Sequence, residues 1–439
     1  MRRTLLVMAA ASMLVTSCGI FRGGKTKQRT LGDRVSVLNF EQQVRAEPEL
    51  KDLQVVLPPP ADNAAWTQPG GAPAKTLGHL ALGDTLREAW QVSVGRGSDG
   101  TRRLNATPVV ADGRLFVMDV ESTVRAFDAR SGRALWSASL RVKGEDVRAA
   151  FGGGVSVGEG RVYATNGFGQ VAAFEAASGK QLWLRQLPVP LRAAPTVADN
   201  RLYVMSQDNQ LQALDAATGE SQWEANATVE PASILGPGAP AVAQDTVVAG
   251  FSSGELFALR VENGRTVWQD QLARTGRTTA LAALADIAAS PVIDRGRVFA
   301  IGHGGRMVAL ELATGQRVWE RSFAGTSTPF VAGEFVFAVT VDGEVVAMTR
   351  GEGKIRWVTR LPRWDNPEKK SGAIEWFGPV LASDRLILAS SSKRLVTMSP
   401  YTGALISEVR LGAPAYLPPI VADRTLFVLT DDGKLTAFR

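Results

Sequence analysis

From Pro108 to Phe438, short apolar runs of three to five residues alternate with polar turns rich in Asp and Gly. Pro108-Val109-Val110 is followed by the turn Ala111-Asp112-Gly113, and then by Leu115-Phe116-Val117-Met118. Glu121-Ser122-Thr123 turns the chain into Val124-Arg125-Ala126-Phe127, and Asp128-Ala129-Arg130-Ser131-Gly132 into Ala134-Leu135-Trp136. Runs of this length bounded by turn formers predict four strands joined by hairpins. Asp can hydrogen-bond its own turn backbone, and Gly supplies the positive φ that closes a tight turn.

The end of this unit returns along the chain. Ala126 to Trp136 reads AFDARSGRALW, and 173–183 reads AFEAASGKQLW. ALDAATGESQW follows at 213–223, ALRVENGRTVW at 258–268, ALELATGQRVW at 309–319 and AMTRGEGKIRW at 347–357. A seventh copy, TMSPYTGALIS at 397–407, has Ser407 in place of tryptophan. Successive copies end 38 to 51 residues apart. A period in the forties built from strand-like segments predicts a β-propeller, one four-stranded blade per repeat. Trp covers a large apolar area and the small Ala lets backbones approach, so the pair is expected to join blades, not to stack a ligand.

A last unit, Pro419-Ile420-Val421, Leu426 to Leu429 and Lys434 to Phe438, contains only strands A to C. The matching orphan is Leu86 to Val94, whose Trp90 lies 46 residues before Trp136 and therefore in register. The expected fold is all-β: an eight-bladed β-propeller over residues 86–439, four antiparallel strands per blade, the last blade completed by the N-terminal strand. Closing the ring in this way removes a sheet edge.

Residues 1–17 read as a lipoprotein signal peptide. Arg2-Arg3 precedes the apolar stretch Leu5 to Val15, too short for a spanning helix, and Val15-Thr16-Ser17-Cys18 resembles a bacterial lipobox. The alternative is an ordinary secretory signal with a chance cysteine. Cys18 is the only cysteine in 439 residues, which leaves no disulfide framework and makes it the expected lipid attachment site. Gly19 follows it where Asp would signal retention, so the expected location is the periplasmic face of the outer membrane, held by the lipid anchor. Residues 18–85, with Pro58-Pro59-Pro60 and Pro69-Gly70-Gly71, read as a lipidated N-terminus and mostly irregular tether.

Of 49 Lys and Arg, seven lie in residues 1–34 with one of the 43 acids, so the remainder holds 42 of each sign. A neutral folded body argues against nucleic-acid binding, which needs a basic footprint. Enzyme chemistry is equally hard to place. His79 precedes the first strand, His303 sits in a turn, and no Cys/His spacing suggests a metal. Asp112, Asp128, Asp199, Asp215 and Asp342 recur as turn formers. No cofactor and no catalytic residue are expected.

In an antiparallel four-stranded blade the A–B and C–D turns share one face, and the B–C turns and D-to-A connectors the other. The connectors are the long ones, and some are apolar: Pro231 to Gly236, Ala280 to Ile287, and the aromatic Trp364 and Ile374-Glu375-Trp376-Phe377. Exposed, such segments would form a docking surface. The alternative is that they fold inward and plug the channel.

The repeated phrase resembles that of pyrroloquinoline quinone (PQQ) dehydrogenases, eight-bladed propellers that carry an adjacent cysteine pair this chain lacks. Over its whole length the chain is more similar to the BamB family, lipoproteins of the outer-membrane β-barrel assembly (BAM) machine. The stretches Arg274 to Val292 and Pro231 to Pro240 look like that family's lead-ins to blades five and four. The resemblance implies a non-enzymatic scaffold whose partner is BamA, held through its periplasmic POTRA domains, within the BAM complex. It implies contact residues Ile234, Leu235 and Asp286, with Leu235 replacing a basic residue and Ala288 a second acid. Unfolded outer-membrane proteins are a further possible partner. The competing classes are a periplasmic PQQ-type dehydrogenase and an envelope binding module for another ligand.

Overall fold

The recurring phrase supplies the third and fourth strands of each blade. The computed structural model describes residues 44–140, 152–230, 238–272 and 285–439. Blade one is Val109–Ala111, Arg114–Met118, Thr123–Asp128 and Ala134–Ser139, strands A to D from the axis outward. The same order repeats over 153–186, 196–226, 241–271, 292–321, 330–360 and 376–410. Blade eight combines Ile420–Ala422, Thr425–Leu429 and Lys434–Phe438 with Glu88–Ser93. Trp90 pairs with Ala437 and Ser93 with Lys434, so the front of the chain closes the ring as expected. Eight four-stranded sheets thus stand among the described residues, with one extra hairpin, Trp364–Asn366 and Ser371–Ala373.

The C–D turn is built by its Asp and Gly. The Asp215 carboxylate accepts N–H bonds from Ala217 and Thr218, each 2.9 Å, and Gly219 takes a φ of 73°. Across the turn the phrase's Ala faces its Trp, as in Ala126–Trp136 and Ala258–Trp268. Each indole then reaches the next blade. The Nε1–H groups of Trp90, Trp136, Trp183, Trp223, Trp268, Trp319 and Trp357 donate to the carbonyls of Arg130, Ala176, Ala216, Val261, Leu312, Arg350 and Pro400, at 2.7–3.2 Å. The ring lies on the neighbouring turn glycine. A Cβ at Gly179 would stand 2.5 Å from the Trp136 ring, so this glycine is needed for clearance as well as for its φ of 75°.

The seventh copy departs for a physical reason. Blade eight receives its fourth strand from Glu88–Ser93, so it has no C–D turn on which an indole from blade seven could rest. At that seam Ala and Trp are replaced by Thr397 and Ser407, whose hydroxyls hydrogen-bond at 2.7 Å. Apolar burial is distributed between blades: Phe116 and Met118 with Val155 and Val162 at the first seam, Phe299 and Ile301 with Val336 and Val346 at the fifth.

Of the stretch read as a tether, the described part from Val44 onward is mostly irregular and belongs to the same compact unit as the ring. Residues 61–83 lie across the inner strands at the A–B-turn end of the channel. Trp66 exchanges two 2.8 Å backbone bonds with Val110, and Thr67, Pro73 and Ala74 accept from Val157, Val242 and Ile293. The Gln68 amide grips the backbone of Val197, Leu80 pairs with Leu381, and Asn63 accepts from Asp423. Leu57 and Val56 pack beside Gly333 of blade six. One strap therefore touches all eight blades. Trp66, Gln68, Lys75, His79 and Leu80 are each at most 3 % exposed. His79 accepts the Asp384 N–H at Nε2 and meets the Pro58 carbonyl at Nδ1, a structural role. A boundary between tether and propeller at 85–86 is not where packing begins.

Candidate docking surface

With the strap on the A–B-turn end, the opposite face carries the B–C turns and the D-to-A connectors. These are tied to one another. In blade three's B–C turn, the Asn209 amide oxygen accepts from the N–H and hydroxyl of Ser252 in the next blade's turn, at 3.0 and 2.8 Å. Its nitrogen donates to Thr228, at the root of the connector into blade four. The far root of that connector is fixed by Ala239, whose N–H donates to the Ser290 hydroxyl at 2.9 Å. Between those roots, Val229 is 66 % exposed, the largest exposure among the described large hydrophobic residues of the connectors.

The lead-in to blade five is buried where it is described. Asp286 to Ser290 are each at most 3 % exposed. The Asp286 carbonyl accepts from His303, and Ile287 donates to Phe251. Arg192, from the lead-in to blade three, sends Nη2 to the Asp286 carboxylate at 3.1 Å and to the Ile287 carbonyl at 3.3 Å. Both side chains are nearly inaccessible, 2 % for Arg192 and 1 % for Asp286.

On the other side of the ring, the lead-in to blade one is pinned by ion pairs. Arg102 donates to Asp99 at 3.0 Å and approaches Glu121 at 3.8 Å. The Arg102 guanidinium, helped by the N–H and hydroxyl of Thr101, holds the Asp99 carboxyl well below the usual carboxylate range. Arg103 stands over the Tyr416 ring at 4.6 Å, and Tyr416 meets Phe377 edge-on at 5.9 Å. The connector into blade seven folds into the exposed hairpin at 364–373, braced by Arg363 to Asp342 at 2.6 Å.

The expected site residues divide. Cys18, Ile234 and Leu235 lie outside the described residues, as do Arg274 to Leu284 and Pro231 to Gly236. Asp286 was expected as an acidic surface contact; instead its carboxylate is enclosed and ion-paired inside the chain, because Arg192 reaches it from 94 residues away. For Ile374 and Trp376, where exposure and inward packing were both open, the structure shows burial, Trp376 as the first residue of strand A in blade seven. Sequence reasoning missed Arg192, whose place in Pro190-Leu191-Arg192-Ala193-Ala194 carried no signal beyond an isolated charge in an apolar run. Among the described residues, no group of three His, Cys, Asp or Glu side chains is arranged to hold a metal ion, and no helix is long and apolar enough to cross a membrane.

A family model described as outer membrane protein assembly factor BamB matches residues 80–145, 120–359 and 362–439. The outer membrane protein assembly factor BamB of Salmonella typhimurium is 29 % identical over 359 residues, covering 80 % of this chain and 88 % of that protein. The crystal structure of BamB from Moraxella catarrhalis superposes with a TM-score of 0.69 at 17 % identity, over 81 % of this chain and all of that one. The quinohemoprotein alcohol dehydrogenase of Comamonas testosteroni superposes at 0.64 with 15 % identity, over 86 % and 81 % of the two chains, a likeness of fold alone.

Proposed function

Since the chain belongs to the family of outer membrane protein assembly factor BamB, we propose that it is a non-enzymatic scaffold lipoprotein of the BAM complex. On this reading Cys18 carries the lipid anchor, on the periplasmic face of the outer membrane. The connector face holds the POTRA domains of BamA through Ile234 and Leu235 and assists the folding and insertion of outer-membrane proteins.

One observation supports the choice of face above the rest. The axial end on the A–B-turn side is occupied by the chain's own residues 61–83, whereas the opposite side carries the long connectors, and the described roots of the one into blade four are bonded at Thr228 and Ala239. A scaffold carries function on such connectors, positioned by a rigid body. Val229, two-thirds exposed, stands five positions before Ile234 in the sequence. An apolar residue presented beside a docking segment fits a contact made by burial.

The test is affinity purification of the tagged, full-length chain from membranes. BamA should be the dominant partner, and its capture should fall with Ile234→Asp or Leu235→Asp while the thermal midpoint is kept. Absence of BamA in favour of another envelope component overturns the partner, and unchanged capture by both variants overturns the site. Dye-linked alcohol oxidation after incubation with PQQ and calcium would overturn the non-enzymatic reading.

A further inference from the structure

The Arg192–Asp286 pair has no counterpart in the repeat, since neither residue belongs to the phrase that builds the blades. It joins the lead-ins of blades three and five and passes over that of blade four. Gly238, in the lead-in between them, lies so close to Ala288 that a Cβ there would stand 2.7 Å from the Ala288 carbonyl oxygen. Ala239 is hydrogen-bonded to Ser290 of the same stretch. Three consecutive lead-ins are therefore locked together at the channel mouth. The locked residues are the C-terminal roots of two connectors on the face that the proposed function uses, since Gly238 directly follows 231–237 and only Ala285 separates Asp286 from 273–284.

We infer that Arg192 and Asp286 form a positioning brace: a buried ion pair that fixes the C-terminal roots of the connectors into blades four and five relative to each other, without itself touching the partner. The inference rests on the reading of the connector face as the docking surface. Burial supports it, because a carboxylate 1 % exposed cannot reach a partner without leaving its guanidinium. Chemistry supports it too. A buried ion pair contributes little stability over well-packed apolar residues of similar volume, because desolvating both charges offsets their attraction. What it adds is direction: one Arg192 nitrogen holds both the Asp286 carboxylate and the next carbonyl, that of Ile287, so side chain and backbone are placed together. An apolar pair at these positions would fill the space but leave that backbone free to shift.

The experiment compares wild type, Arg192→Met, Asp286→Asn and the double variant Arg192→Met/Asp286→Leu in the full-length lipoprotein. Two readouts are taken: amide hydrogen exchange of the isolated protein at residues 285–291 and 238–243, and capture of a soluble POTRA-domain fragment of BamA. The double variant leaves no buried unpaired charge and should melt close to wild type. It should nevertheless exchange faster at both roots and capture the fragment about tenfold more weakly, equivalent to about 1.4 kcal/mol. Arg192→Met should behave alike, with an added loss of stability. The inference is overturned if the double variant exchanges and captures as wild type does. It is also overturned if Asp286→Asn weakens capture while Arg192→Met does not, the pattern of a direct acidic contact. If exchange rises as expected but wild type captures no POTRA fragment, the brace stands and the proposed function fails.

Discussion

Trp66 and Val110 exchange both of their backbone hydrogen bonds, each 2.8 Å long, although one lies in an irregular segment and the other in the inner strand of blade one. The contact makes the N-terminal strap part of the ring.

Cutting the chain inside that strap should therefore cost far more than cutting ahead of it. A chain starting at Val44 should unfold at the same urea midpoint as the full-length protein. One starting at Asp84 loses Trp66, Leu80 and Leu82 from the cluster that joins blades seven, eight and one. Each fully buried apolar side chain contributes on the order of 1.5–3 kcal/mol, so the three together should cost roughly 4.5–9 kcal/mol. Equal midpoints for the two truncations would show that the strap rests on the ring without supporting it.

The indole contacts make a second prediction, one that depends on topology. Trp268 is 8 % exposed and bonded to Leu312, so Trp268→Ala should cost about 3–5 kcal/mol. Restoring the missing tryptophan, Ser407→Trp, should bring no gain, because blade eight has no C–D turn to receive it and Thr397 loses its 2.7 Å partner. Thermal melts of both variants decide this; a raised midpoint for Ser407→Trp would mean that a receiving surface exists.

The contrast between phrase and strap explains what could be read from the residues. Strands C and D were legible because Asp, Gly and Trp act within a few residues of one another, and their recurrence gave both blade number and the register of Trp90. The absence of tryptophan at Ser407 carries no reason in the repeat itself; the closure of blade eight supplies it. The strap carries no period, since successive residues meet different blades: Thr67 meets Val157, and Pro73 meets Val242. Its Pro and Gly content suggested a linker, and only the partners show that it is packed. Asp286 misled in the opposite way. The family resemblance implied a surface contact there, and nothing local reveals an arginine arriving from another connector.

Lys75 gives the strap a pH dependence. Its ammonium is buried beside the Thr196 hydroxyl, 3.0 Å away, and desolvation pushes its pKa from 10.5 down to about 7. Between those two values the unfolded chain binds the proton and the folded chain does not. Raising the pH through that window thus stabilises the fold, and below about 7 the burial penalty is felt in full. Urea midpoints should rise from neutral pH toward pH 10, and Lys75→Met should flatten this rise while lifting stability at the acid end. The same slope in Lys75→Met would assign the dependence to other groups.

The last prediction concerns the forces at the docking face. Family resemblance implies a basic residue at position 235 and an acid at 288, where this chain has Leu235 and Ala288, and Ala288 is itself 2 % exposed. Asp286 is neutralised internally by Arg192. The charges that the resemblance implies at these positions are thus replaced or enclosed, and on the proposed reading contact rests on apolar burial around Val229 and Ile234. Exposed charges are screened over about 8–10 Å at physiological salt, whereas apolar burial is not. Capture of the POTRA fragment should accordingly change less than about threefold between roughly 0.05 and 0.5 M salt. Leu235→Arg should restore a steep salt dependence, measured as dissociation constants across the same range. A steep dependence in the wild type would place the contact on the charged 364–373 hairpin, with its Glu368, Lys369 and Lys370, instead of the apolar connectors.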